Sequence, residues 1–195
     1  MKIISYLFFL FQSFLLSQVS EGYTIFTPYA DGNGTSTYLL DTQGNTIHTW
    51  SHERAPASMA YLLPDSTIIY PYRVTDPTME AGGVGGGIKS LDWDGNMLWD
   101  YQISNEAYQH HHDVEPLPNG NILAIVWERK TASEAFEMGR QIIDNTLNQM
   151  WSTAILELDS QTGGIVWEWH IWDHLIQDVG AEYPSFGVIS EHPEL

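Results

Sequence analysis

The 195 residues contain no cysteine. Disulfide scaffolding, thiolate catalysis and cysteine-based metal binding are therefore excluded. Export permits disulfides without requiring them, so the lack of them does not oppose an exported chain with an ordinary core. Basic residues are nearly as scarce: 7 Lys and Arg stand against 25 Asp and Glu, a formal net charge of −18. Nucleic acid and anionic membrane surfaces recruit clustered cations, so neither is expected as a partner. The acidic residues read as a solvated surface and are assigned no role. After the first 20 residues no run is apolar enough to cross a bilayer.

The start of the chain is different. Lys2 is followed by "IISYLFFLFQSFLL" and then by the small or polar residues Ser17, Gln18 and Ser20. A positive charge, a short apolar stretch and a small residue at the cut describe a secretory signal peptide over residues 1–20, cleaved between Gln18 and Tyr23. An uncleaved anchor is the competing reading, and the run is short for a membrane span. Residues 21–195 are then a periplasmic or secreted domain, with no membrane contact once the signal is removed.

What the chain has in quantity is 8 Trp, 10 Tyr and 16 Gly, which favours strands and tight turns. Three segments share one pattern: "LDTQGNTIHTW" (40–50), "LDWDGNMLWDY" (91–101) and "LDSQTGGIVWEW" (158–169). Aligned on Gly44, Gly95 and Gly163, they place His48, Trp99 and Trp167 four residues on, and Trp50, Tyr101 and Trp169 six on. Asp41, Asp92 and Asp159 precede the glycines. Each segment reads as a hairpin whose second strand carries large aromatics on one face. A second marker interleaves with the first, a turn after Leu-Pro at Pro64 and again at Pro118. The prolines are spaced by 54 residues and Gly44 and Gly95 by 51. Two markers advancing together predict a repeat of about four strands, the size of a β-propeller blade. The expected fold is all-β: an incomplete propeller of about two to three four-stranded blades. The third aspartate arrives 67 residues after the second, and the added stretch 131–150 has Phe136, Ile142, Ile143, Leu147 and Met150 at roughly helical spacing. A short helical insertion capped by Thr131 or Ser133 is expected there.

"YQHHHDVEP" (108–116) groups His110, His111, His112 and Asp113 before a Pro-Asn-Gly turn. Strand alternation would point His110 and His112 the same way, ~6–7 Å apart. Such a pair could chelate zinc or copper with help from His170, His174 or a carboxylate. Without an evident third ligand no metal is assigned. "GGVGGGIKS" (82–90) is not a phosphate loop, since its spacing fails and a strand follows. It reads as a loop entering a strand. Arg54, Arg73, Arg129 and Arg140 are scarce positive charges, any of which could bind sulfate, and most of them read as solvated ion pairs. His170 and His174 lie in strand-like sequence and are expected to pack and stack on aromatics.

The stretches "GYTIFTPYADGNGTSTYLLDTQGNTIHTW", "HHDVEPLPNGNIL" and "LELDSQTGGIVWEWHIWDHLIQD" resemble the bacterial arylsulfotransferase (aryl-sulfate sulfotransferase) family, from Gly22 to Leu195 and over its N-terminal part only. The resemblance implies a six-bladed propeller in the periplasm or outside the cell. It also implies transfer of a sulfuryl group from a phenolic sulfate ester to a phenolic acceptor. No nucleotide donor or other cofactor takes part, and a histidine is transiently sulfated. On that resemblance His111, His112 and Asp113 match the family's His-His-Asp motif. His111 or His112 is expected to bind or polarise the sulfuryl group, and Asp113 to orient an imidazole or cap the turn. The nucleophilic histidine and its partner arginine are expected beyond Leu195. A non-catalytic secreted propeller, serving as a binding or scaffold module, is the alternative.

Overall fold

The computed structural model describes residues 22–29 and 34–193; the expected signal peptide lies outside them. Among the described residues eleven strands form three antiparallel sheets, each in chain order. The first contains β1 (Thr24–Phe26), β2 (Thr35–Leu40) and β3 (Thr46–His52). The second contains β4 (Tyr61–Leu62), β5 (Ile68–Arg73), β6 (Gly86–Leu91) and β7 (Met97–Gln102). The third contains β8 (Tyr108–Pro116), β9 (Ile122–Thr131), β10 (Gln149–Leu158) and β11 (Ile165–His170). The described residues close no barrel. Among them no helix is long and apolar enough to cross a membrane.

Both sequence markers are structural. The aspartate hairpins join β2 to β3, β6 to β7 and β10 to β11. Asp41 Oδ1 accepts the Gln43 and Asn45 amides, Asp92 Oδ1 the Asn96 amide, and Asp159 Oδ1 the Gln161 and Thr162 amides. Gly44, Gly95 and Gly163 take φ of 82°, 84° and 71° in these turns, where a β-carbon would strain the backbone. The same one-residue register shift follows each turn, at Leu39/Leu40, Ser90/Leu91 and Glu157/Leu158. The Leu-Pro turns join β4 to β5 and β8 to β9.

Successive sheets stack face to face. Leu39 and Trp50 of the first sheet pack on Ile68 and Leu91 of the second. On the second sheet's other face, Ile69 and Ile88 join Ile122, Ala124 and Val126 of β9 and Ala154, Leu156 and Leu158 of β10. Coverage on both faces explains why β5, "IIYPYR", is apolar without alternation. The repeated aromatics tie one sheet to the next. The Trp50 indole donates to the Asp92 carbonyl (3.0 Å) and the Tyr101 hydroxyl to the Ser160 carbonyl (3.2 Å), each in the next sheet's hairpin turn.

The insertion is less helical than its spacing suggested. Only Ala132–Glu137 forms α1, with Thr131 and Glu134 making a reciprocal capping box. Gly139, at φ 92°, ends it. Asn145 then accepts the Leu147 amide in a competing turn, and Met150 lies in β10. Ile142 and Leu147 are exposed, so their spacing reflects no buried helical face.

Two substitutions test this packing by urea denaturation. Leu156→Ala removes a fully buried side chain and is expected to cost ~2–5 kcal/mol. Tyr101→Phe loses only the inter-sheet hydrogen bond and is expected to cost about 1 kcal/mol.

Candidate functional site

Strand β8 does not run straight through its histidines. Tyr108, Gln109 and His110 pair with Glu128, Trp127 and Val126 of β9, and pairing resumes at Val114 with Ala124. His111, His112 and Asp113 thus face the single residue Ile125, a wide bulge that re-aims their side chains. His112 carries the strain of this arrangement, at φ 56°, a left-handed conformation costly for a residue with a β-carbon.

The other edge of the bulge rests on the glycine segment before β6. The His112 amide donates to the Gly83 carbonyl (2.6 Å), the Gly85 amide to the His110 carbonyl (3.0 Å) and the Gly86 amide to His110 Nδ1 (3.1 Å). A β-carbon at Gly83 would lie 2.2 Å from the His112 ring, and one at Gly85 2.5 Å from His110 Nδ1. The glycines are therefore the bed on which the imidazoles lie. This role extends the expected loop leading into a strand, and sequence gave no sign of it because the partners are distant along the chain.

The three histidines have three environments. His110 is fully buried, and burial pushes its pKa down to about 4. Its Nδ1 accepts from Gly86, which puts the ring proton on Nε2. His111 is 6 % exposed and stacks on Trp127 with centroids 4.5 Å apart. Burial, with His112 beside it, holds its pKa near 4, and its Nε2 is buried without a hydrogen bond. His112 is exposed, and its Nδ1 lies 2.8 Å from His111 Nδ1. The alternation expected for His110 and His112 fails because the bulge lies between them. Among the described residues no group of three or more His, Cys, Asp or Glu is gathered as a metal site.

Asp113 engages hydroxyls rather than an imidazole. Its carboxylate accepts from Ser58 Oγ (2.5 Å) and from Tyr61 (2.9 and 3.0 Å). Desolvation and this carboxylate raise the Tyr61 pKa, keeping it a neutral donor. Ser58, Tyr61 and Trp127 complete the site and were not singled out from sequence, since all three belong to other strands or loops. Elsewhere, His174 stacks on Trp169 (4.9 Å) and His170 lies against the Tyr108 ring (6.3 Å), as expected, and His170 is also 3.2 Å from Glu128. The arginines depart from the expected ion pairs. Arg73 donates to the Tyr29 hydroxyl, and Arg129 and Arg140 donate to the backbone carbonyls of Thr78 and Ile142.

With this geometry in view, residues 14–184 match the family model described as arylsulfotransferase (ASST). The chain belongs to the arylsulfotransferase family. Membership supports a sulfotransferase-like transferase function at the level of the family. No curated protein matches the chain. Among solved structures, a protein of unknown function from Bacteroides caccae is similar at 12 % identity with a TM-score of 0.38, covering 81 % of this chain and 76 % of that one.

Two outcomes follow from the site's packing. His52, His110 and His111 have pKa values lowered to about 3, 4 and 4. Between pH 6.5 and 4 the unfolded chain therefore binds protons that the folded chain does not. Stability is fully present above pH 6.5 and is lost as pH falls through that window, by ~1.4 kcal/mol per pH unit for each ring titrating only when unfolded. Urea midpoints measured from pH 7.5 to 4 check the slope. Gly83→Ala is expected to displace the His112 ring, seen as a shift of the His112 imidazole resonances with little change at His52.

Proposed function

We propose that the chain is part of an exported six-bladed β-propeller that moves a sulfuryl group from a phenolic sulfate ester to a phenolic acceptor through a sulfohistidine. Family membership supports the reaction class. The observation that carries the residue assignment is the His111–His112 contact, with Nδ1 atoms 2.8 Å apart on a strained bulge and the His112 ring open to solvent.

One of the two nitrogens in that contact must be the donor and the other the acceptor. If His111 Nδ1–H donates, His112 Nδ1 is bare and its proton sits on the outward Nε2. That N–H can donate to a sulfuryl oxygen. In the first half-reaction the aryl S–O bond breaks, an S–N bond forms on the nucleophilic histidine, and the phenolate departs to be protonated. In the second, the acceptor phenol loses its proton as its oxygen attacks sulfur and the S–N bond breaks. Negative charge spreads over the sulfuryl oxygens in both, and a positioned donor stabilises it most in the transition state. His111 fixes the ring of His112, and Asp113 holds Ser58 and Tyr61 at its margin.

The test is transfer from 4-nitrophenyl sulfate to a phenol by the full-length protein, with no nucleotide sulfate and no added metal. His112→Ala is expected to lower kcat/KM by ~10²–10³-fold, the usual effect of deleting one oxyanion donor. Binding of aryl sulfates without turnover by the full-length protein would instead favour the non-catalytic module. Residues 1–20 support export, and fractionation of the producing cell checks it.

A further inference from the structure

The backbone that carries His112 is held from the second sheet, because the bulge takes it out of the ladder with β9. On its amino side His111 bridges Val84, and the His112 amide donates to the Gly83 carbonyl (2.6 Å). On its carboxyl side stands Asp113. The Asp113 carboxylate accepts the Ser58 hydroxyl at 2.5 Å and a bifurcated bond from the Tyr61 hydroxyl at 2.9 and 3.0 Å. His112, at φ 56°, is thus suspended between two tethers.

The tether on the carboxyl side is stiff. The Tyr61 ring packs on the core shared by the second and third sheets, and its backbone pairs with Ile69 of β5. Ser58 follows a segment fastened to β5 by the Ala57 amide bond to the Pro71 carbonyl (3.0 Å) and by the Pro56–Tyr72 bridge. The His110 ring closes the same end, with Nε2 3.4 Å from the Asp113 carbonyl while Nδ1 takes the Gly86 amide. Asp113 is exposed, so water alone could solvate its charge. What two donors on a rigid neighbouring sheet add is a fixed position.

We propose that Ser58 and Tyr61 are positioning residues for His112, acting through the Asp113 carboxylate to fix the backbone from which the imidazole projects. The effect on turnover rests on the sulfuryl-transfer reading of the site; the effect on the His112 backbone does not. A left-handed residue persists only where its surroundings over-determine it. Cutting one tether therefore lets the chain at His112 relax, and a donor displaced by even a fraction of an ångström loses much of its effect on a transition state.

Tyr61→Phe keeps the packed ring and removes only the hydroxyl, and Ser58→Ala removes the other donor. In the full-length protein each is expected to lower kcat for transfer from 4-nitrophenyl sulfate to phenol by ~10-fold or more, with KM changed by less than about twofold. In an Asp113→Ala background neither should lower it further, since the shared route is already cut. Amide hydrogen exchange supplies a readout independent of catalysis. Exchange at His112 should quicken ~10-fold or more in both variants, while the Leu156 amide in the centre of β10 keeps its native rate. Equal quickening at His112 and Leu156 would mean general loosening and would overturn the proposal. So would native His112 exchange or native kcat in both variants, or an additive loss in the Asp113→Ala background. Lack of transfer by the native full-length protein would refute the reaction instead, and the exchange rates would then decide the tether alone.

Discussion

The architecture depends on a contact that recurs from sheet to sheet: a large aromatic near the end of one hairpin reaches the turn of the next. Trp50 meets the Asp92 carbonyl, and Tyr101 meets the Ser160 carbonyl. Apolar stacking alone tolerates sliding, because burial is non-directional. A hydrogen bond from a buried ring to one turn carbonyl is directional and sets the registration of neighbouring sheets. The turn must also accept the ring closely. A β-carbon at Gly163 would lie 2.5 Å from Tyr101, so this glycine answers both to its own φ and to the sheet before it.

That registration brings the segment before β6 against the bulge of β8, and the site follows from it. His112 adopts a left-handed backbone at a cost of order 1–2 kcal/mol. The amide bond to Gly83 and the paired bonds of His110 to Gly85 and Gly86 offset the cost. His110 is thereby a structural residue despite lying in the motif. It receives a backbone amide in the core, while His111 stacks on Trp127 and His112 is exposed.

The turns were legible from sequence because their physics is local: an aspartate accepts amides two to four residues on, and a glycine supplies positive φ. The stacking was legible less directly, through the unbroken apolar run of β5. The bulge was not. Nothing within "HHH" announces it, since its partner edge is the Gly83–Gly86 backbone more than twenty residues earlier, and strand alternation was the natural expectation. The helix was overread for a related reason, as spacing in a loop of mixed residues mimics a face that Gly139 interrupts. Asp113 shows the same division. Its place beside the imidazoles was visible, but its hydroxyl partners Ser58 and Tyr61 come from around β4.

Electrostatics separates the buried rings from the one exposed imidazole. Burial lowers the pKa of His52, His110 and His111; Lys89 adds to it at His52 and His112 at His111, while at His110 it outweighs the opposing pull of Asp113. His110 and His111 accordingly present neutral rings with N–H dipoles. Such donors stabilise charge as it develops without binding resting anions strongly, and that suits a step in which charge moves. Lys89 is the contrasting case: its ammonium keeps a full charge over the Tyr70 and Tyr72 rings, with Asp100 and Glu53 as its counter-charges.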